Sequence, residues 1–153
     1  MSTMKISGIT VREATEADFP RLVELFMEFA TFENLQHRMS NSVEQMKTEN
    51  EHFNGFVAAD SDGQIVGYAT WVFTYYTFSG KAMYMDDLYI TPAYRGFGLG
   101  TLLINRVIEM ARETHCNKLR WQVSEWNHAA QGFYKQLGAE IDEVERNCNL
   151  DLN

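Results

Sequence analysis

At 153 residues, 45% of them hydrophobic and 22% charged, the chain is long enough for one domain with a real core and too short for two comfortable ones. Its formal net charge of −8 disfavours nucleic acid as a partner and modestly favours cationic ones. No apolar run approaches the roughly 18 residues of a membrane span, MSTMKISGIT lacks the zones of a signal peptide, and Cys116 and Cys148 make neither a disulfide framework nor a metal-ligand spacing. A cytoplasmic chain is expected, with no membrane partner and no metal.

In chain order, Ile6 to Ala14 alternates apolar and polar positions through Ile9, Val11 and Glu13 and predicts a first strand. Thr15 to Asp18 carries a capping-box pattern with Asp in the Glu place, and Phe19, Leu22, Val23, Phe26, Phe29 and Ala30 follow at helical spacing. Pro20 is tolerated if the regular helix starts at Asp18 with the proline in its opening turn; an irregular first turn is the alternative. Residues 31–41 predict a loop. A second helix follows, capped by Asn41 or Ser42 with Glu44 available to cap back, and ends near His52. Phe56 to Ala59 and Ile65 to Tyr76 read as strands of a hairpin around the turn Asp60–Gly63. Thr77 to Gly80 is the next turn and Lys81 to Ile90 the next strand. A third helix from about Gly98 to His115 carries Leu99, Leu103, Val107 and Met110 on one face. Lys118 to Ser124 reads as a strand, Asn127 to Leu137 as a short helix closed by Gly138, and Val144 to Leu152 as a last strand. This order predicts an α+β fold, a sheet with flanking helices.

Between the strand ending at Ile90 and the third helix stands RGFGLG, Arg95 to Gly100. Three glycines at every second position let a backbone approach a ligand without Cβ atoms in the way. Helix N-termini leave N–H groups without intrahelical partners and carry partial positive charge, so a phosphate or pyrophosphate is the natural guest. Arg95 adds a fork of donors. The order Gly96-x-Gly98-x-Gly100 is not the G-x-G-x-x-G of a dinucleotide site, and Gly100-Thr101 lacks the lysine of a Walker loop.

What fits is R-x-x-G-x-G, and with it FTYYTFSGKAMYMDDLYI (Phe73 to Ile90) and RWQVSEWNHAAQGFYKQLGA (Arg120 to Ala139). On these three motifs the chain resembles the GNAT superfamily of N-acetyltransferases, closest to the spermidine/spermine and thialysine branch. The resemblance implies a single N-acetyltransferase domain over 1–153 and the GNAT-type acyl-CoA N-acyltransferase fold, a mixed, mostly antiparallel central sheet flanked by helices. It implies acetyl-CoA as donor. The pyrophosphate falls to Arg95, Gly96, Phe97, Gly98, Leu99, Gly100 and Thr101, and the pantetheine arm to the backbone of Leu88, Tyr89 and Ile90. Asn127 matches a side-chain contact to the cofactor, and an Asn before a helix is equally an ordinary N-cap. A homodimer is implied as well.

An amine of pKa about 10.4 is almost wholly protonated at neutral pH, so a proton must leave before the nitrogen attacks a thioester. Asp86 stands where the family places an acidic residue that accepts this proton, and as Asp rather than Glu it favours a bridging water. A solvated or salt-bridged pair at a strand edge is the competing reading. By resemblance Asp87 contacts the cationic substrate, although in a regular strand it points to the opposite face, and only a bulge lets both reach one cleft. Tyr134, in GFYKQLG, matches the tyrosine that protonates the leaving thiolate; an aromatic packed on the sheet, as expected of Phe133, is the alternative.

Polyamine enzymes carry an acidic residue and a tryptophan in the turn before the central strand; here Tyr76 and Phe78 stand at those places. Glu33 matches an acidic residue near the amine pocket. The expected acceptor is therefore a small primary amine: a polyamine, a diamine or a thialysine-like amino acid. The alternatives are a non-catalytic acyl-CoA-binding or regulatory domain, and a protein or peptide N-acetyltransferase. His37, His52, His115 and His128 show no metal-like spacing.

Overall fold

The computed structural model describes residues 7–152. They fold as an α+β chain in two compact bodies, one through Trp121 and one from Gln122 onward. The first body holds a five-stranded sheet in the order β1-β2-β3-β4-β5. Its strands are β1 (Thr10–Glu13), β2 (Gly55–Ala59), β3 (Ile65–Tyr76), β4 (Gly80–Ile90) and β5 (Lys118–Arg120). The first four run antiparallel to their neighbours and β5 pairs parallel with β4, so the sheet is mixed and mostly antiparallel. Ile6, placed in the first strand by the alternation, lies outside the described residues.

Helix α1 (Phe19–Phe32) follows a short 3-10 turn over Glu16–Asp18, and Pro20 sits in its opening turn, where the missing N–H costs nothing. The capping pattern is realised: the Thr15 N–H donates to Asp18 Oδ2 at 2.8 Å, while Arg12 donates to the same carboxylate through both Nη atoms, at 2.8 and 2.9 Å. The chain leaves α1 through Asn34, held at φ 59°, with the Leu35 N–H donating back to Ala30 at 2.7 Å. This left-handed exit is a Schellman-type stop, for which Asn is a natural residue after Gly.

Ser42 caps α2 (Val43–Thr48), its Oγ accepting from the Gln45 N–H at 3.1 Å. Glu44 lies one position short of the place from which a side chain closes a capping box, so the reciprocal bond expected of it is not made. In the Asp60–Gly63 turn, Asp60 Oδ1 accepts from the N–H groups of Asp62 and Gln64 at 3.0 and 2.9 Å.

One sheet face carries Val57, Tyr68 and Tyr89 and packs with Phe19, Leu22, Leu25 and Met46 of α1 and α2. The amphipathic helix α3 (Leu99–Glu113) buries Leu99, Leu103, Ile104, Val107 and Ala111. Gly67 is where this helix comes close. A Cβ there would lie 2.6 Å from Ile90 Cδ1, 3.0 Å from the Tyr89 carbonyl and 3.4 Å from Leu103 Cδ1. The Arg106 guanidinium lies over the Phe56 ring at 4.8 Å, and Phe56 stacks on Trp71 at 5.9 Å.

The second body contains α4 (His128–Gln136), which Asn127 caps by accepting from the Ala130 N–H at 3.2 Å, and which ends ahead of Gly138 at φ 91°. Two strand expectations fail. The strand from Lys118 stops at Arg120 instead of Ser124, and residues 144–152 have no regular structure. Val144, Leu150 and Leu152 are 85%, 84% and 89% exposed. Alternation describes a face, but a strand exists through a backbone ladder with a neighbour. Among the described residues no strand pairs with either stretch.

Candidate active site

β3 and β4 pair residue for residue except at one place. Thr70 pairs with Asp87 and Trp71 with Met85, leaving Asp86 as the extra residue of a β-bulge. This is the irregularity without which Asp86 and Asp87 would be divided between the two faces. Asp87 is fixed from two sides: its N–H donates to Thr70 Oγ1 at 3.2 Å and its Oδ2 accepts from the Tyr68 hydroxyl at 3.2 Å. Tyr68 is wholly buried, with its ring edge-on to Phe26 at 5.1 Å.

Both carboxyls are hard to ionise. Burial raises Asp86, although solvent reaches the residue. Asp87 is pushed up to about 7, first by burial and then by the charge of Asp86, with a smaller push from Glu33. The Tyr68 hydrogen bond opposes that rise. Glu33, at the C-terminal cap of α1, thus lies within electrostatic reach of the bulge. A helix C-terminus already carries partial negative charge, so this corner of the fold favours a cation. A carboxyl titrating near neutral pH beside a second carboxyl can exchange a proton with an amine, and the two titrate as a pair.

β5 accompanies β4 only along Ala82 to Tyr84. Beyond Tyr84 no strand among the described residues pairs with that side of β4, so Leu88 to Ile90 offer main-chain groups for an extended ligand to add beside them. The same strand leads into the glycine turn. Gly96 has φ 84° and open space where a Cβ would lie, and Gly98, at φ 87°, is the N-cap of α3. The first intrahelical bond runs from the Leu102 N–H to the Gly98 carbonyl at 3.1 Å, so the amides of the preceding turn have no helical acceptor. These features fit a pyrophosphate. Arg95 is held otherwise than as a bare phosphate ligand: its Nε donates to the Ile90 carbonyl at 2.8 Å, and its guanidinium lies 5.0 and 5.3 Å from the rings of Phe32 and Tyr89. Tyr89 in turn donates to Glu28 Oε1 at 2.9 Å, and burial followed by Glu28 lifts its phenol to about 12.

The fold therefore brings Asp86, Asp87 and Glu33 into one electrostatic neighbourhood, and places Leu88 to Ile90 and the turn at Arg95 to Thr101 in direct succession. Tyr76 ends β3, with the Arg120 guanidinium 4.1 Å from its ring. Phe78 is fully exposed in the turn that follows. In the second body, Tyr134 is buried on α4, 5.4 Å from the ring of Phe133, and Asn127 serves as the helix cap. Tyr68 and Thr70, which hold Asp87, carry no signal in the sequence beyond being polar-tipped residues in an apolar run. Their role depends on a register and a bulge that local pattern does not specify. Among the described residues no cluster of His, Cys, Asp and Glu has the arrangement to hold a metal ion.

The bulge at the acidic pair and the glycine turn at a helix N-terminus thus lie on one stretch of backbone. The acetyltransferase (GNAT) family model matches residues 19–139, and the chain belongs to that family and is an N-acetyltransferase. It is 37% identical over 146 residues to the thialysine N-epsilon-acetyltransferase of Mus musculus, covering 88% of this chain and 86% of the relative. To the spermidine/spermine N(1)-acetyltransferase-like protein 1 of Homo sapiens it is 32% identical over 139 residues, 84% of this chain and 20% of that one. A crystallised acetyltransferase of Trypanosoma brucei superposes with a TM-score of 0.73 at 26% identity, covering 94% of this chain and 99% of its own. These relatives put the chain in the thialysine and spermidine/spermine branch.

Proposed function

We propose that this chain transfers the acetyl group of acetyl-CoA directly to a small primary amine, a polyamine, diamine or thialysine-like amino acid, within a ternary complex. The observation that carries this reading is the bulge: it sets two carboxyls of raised pKa on the strand that runs into the glycine turn. Donor and acceptor ends of the site are then built on one continuous stretch of backbone. The match of the family model to 19–139, spanning both bodies, supports a single functional domain.

Acetyl-CoA supplies the acetyl thioester. Arg95, Gly96, Phe97, Gly98, Leu99, Gly100 and Thr101 hold its pyrophosphate, Leu88, Tyr89 and Ile90 align its arm through backbone groups, and Asn127 contacts it while capping α4. Glu33, Tyr76, Phe78 and Asp87 form the acceptor pocket. Asp86 takes the amine proton, through water in view of its short side chain and solvent access, and Asp87 shares the load because its own carboxyl sits near 7. Tyr134 returns a proton to the departing thiolate. The working form is a cytoplasmic homodimer, which light scattering checks.

Thiol release from acetyl-CoA across polyamines, amino acids and peptides tests the reading, with wild type, Asp86→Ala and Tyr134→Phe side by side. Turnover confined to small amines and lost in both variants is the expected result. Tight CoA binding without turnover of any amine would replace it with a binding domain, and an undiminished Tyr134→Phe rate would remove the acid.

A further inference from the structure

The sheet face that carries Asp87 also carries a cation for which the reaction so far has no use. Arg120, the last residue of β5, lies directly beside Tyr84 of β4. Tyr84 stands opposite Val72, and Asp87 opposite Thr70, two positions along β3. Directly paired residues share a face, as do residues two apart on a strand, so Asp87, Tyr84, Tyr76 and Arg120 all project from one side of the sheet. Tyr84 registers both charges: burial raises its phenol most, Asp86, Tyr76 and Asp87 push the same way, and Arg120 opposes them.

Arg120 is exposed, and its guanidinium is steadied by the Tyr76 ring at 4.1 Å. Among the described residues no carboxylate comes within ion-pair distance of it. An exposed guanidinium held over an aromatic ring can take a carboxylate through two parallel N–H donors. From the bulge to Tyr84 is two or three strand positions, roughly 7–10 Å. That spacing suits an acceptor whose amine and carboxylate lie at opposite ends of a short chain. A polyamine would place a second cation toward Arg120 instead.

Resting on the N-acetyltransferase reading above, we propose that Arg120 takes a carboxylate at the far end of the acceptor and thereby decides between amino acids and diamines. Asp86 and Asp87 receive the reacting ammonium, and Arg120 the far end.

Matched acceptors test this: lysine against cadaverine and ornithine against putrescine, pairs that differ only in the carboxylate, assayed with wild type, Arg120→Ala and Arg120→Lys. Wild type is expected to favour the amino acid of each pair. In Arg120→Ala the ratio of kcat/KM for amino acid over diamine falls about ten- to a hundredfold, the range expected for losing a charged hydrogen bond, through KM rather than kcat. Arg120→Lys recovers part of it. An unchanged ratio, or a wild type that handles diamines as well as amino acids, overturns the proposal. Calorimetric titration of lysine and cadaverine onto the CoA-loaded protein and the same variants separates the two claims. Lysine binding that depends on Arg120 without turnover of any amine refutes the transferase reading and keeps the carboxylate site. Lysine binding indifferent to Arg120 refutes the site.

Discussion

The Tyr68 hydroxyl donates to Asp87 Oδ2 across 3.2 Å from a ring with no exposed surface. Burial and the charges of Asp86 and Glu33 push the Asp87 carboxyl up, and this hydrogen bond is the one contribution that lowers it. Tyr68→Phe removes the donor and keeps the ring. Asp87 then titrates above about 7, and the acid limb of kcat/KM against pH moves upward. A limb that stays in place would show that another group sets it.

Replacing Asp87 itself separates activity from stability. A carboxyl of pKa about 7 in the fold and 3.8 in the unfolded chain binds more protons when folded throughout that interval. Stability therefore declines as pH rises through it and stays lowered above. Asp87→Asn, whose amide oxygen still accepts from Tyr68, should raise Tm at pH about 8, each kcal/mol recovered giving about 2–4 °C, while kcat/KM falls about 100-fold or more. Near pH 4 the two proteins should melt together. Thermal melts at the two pH values decide it.

Asp18 gives the opposite sign. Its carboxylate accepts from Arg12, which is the largest cause of its lowered pKa, and from the Thr15 N–H. This contribution is complete above the unfolded value of 3.8 and is lost as pH falls through the lowered folded value. Asp18→Ala should cost about 1–3 kcal/mol in urea unfolding at neutral pH, less in acid, and leave kcat unaltered.

At the glycine turn, Gly96→Ala places a side chain at φ 84° with no protein atom within 4 Å of its Cβ. The left-handed conformation alone costs about 1–2 kcal/mol, seen as a modest drop in Tm. KM for acetyl-CoA should rise about tenfold or more, with KM for the amine little altered. Equal changes in both would show a general distortion instead of a donor-side effect.

Much of this was legible in the sequence because it is local. The β-branched and aromatic run from Ile65 to Tyr76, the Ser42 cap, Pro20 in an opening turn and the glycines before Leu99 each follow from preferences that act within a few residues, and the strand, caps and turn stand where those preferences put them. The stretch 144–152 shows the limit, since it read as a strand and among the described residues no neighbouring backbone completes a ladder. Glu44 missed its cap by one position for an equally local reason.

The sequence by itself determined most of the elements, the acidic pair and the glycine turn, since each is written in residues close along the chain. Only the tertiary structure decided how they act together. Setting Asp86 into a bulge, bringing Tyr68 from the neighbouring strand to hold Asp87, and laying Arg120 over Tyr76 all depend on strand register. Register is a long-range property. It is chosen by which faces bury best across the whole sheet, and a one-residue shift would send every one of these side chains to the other side.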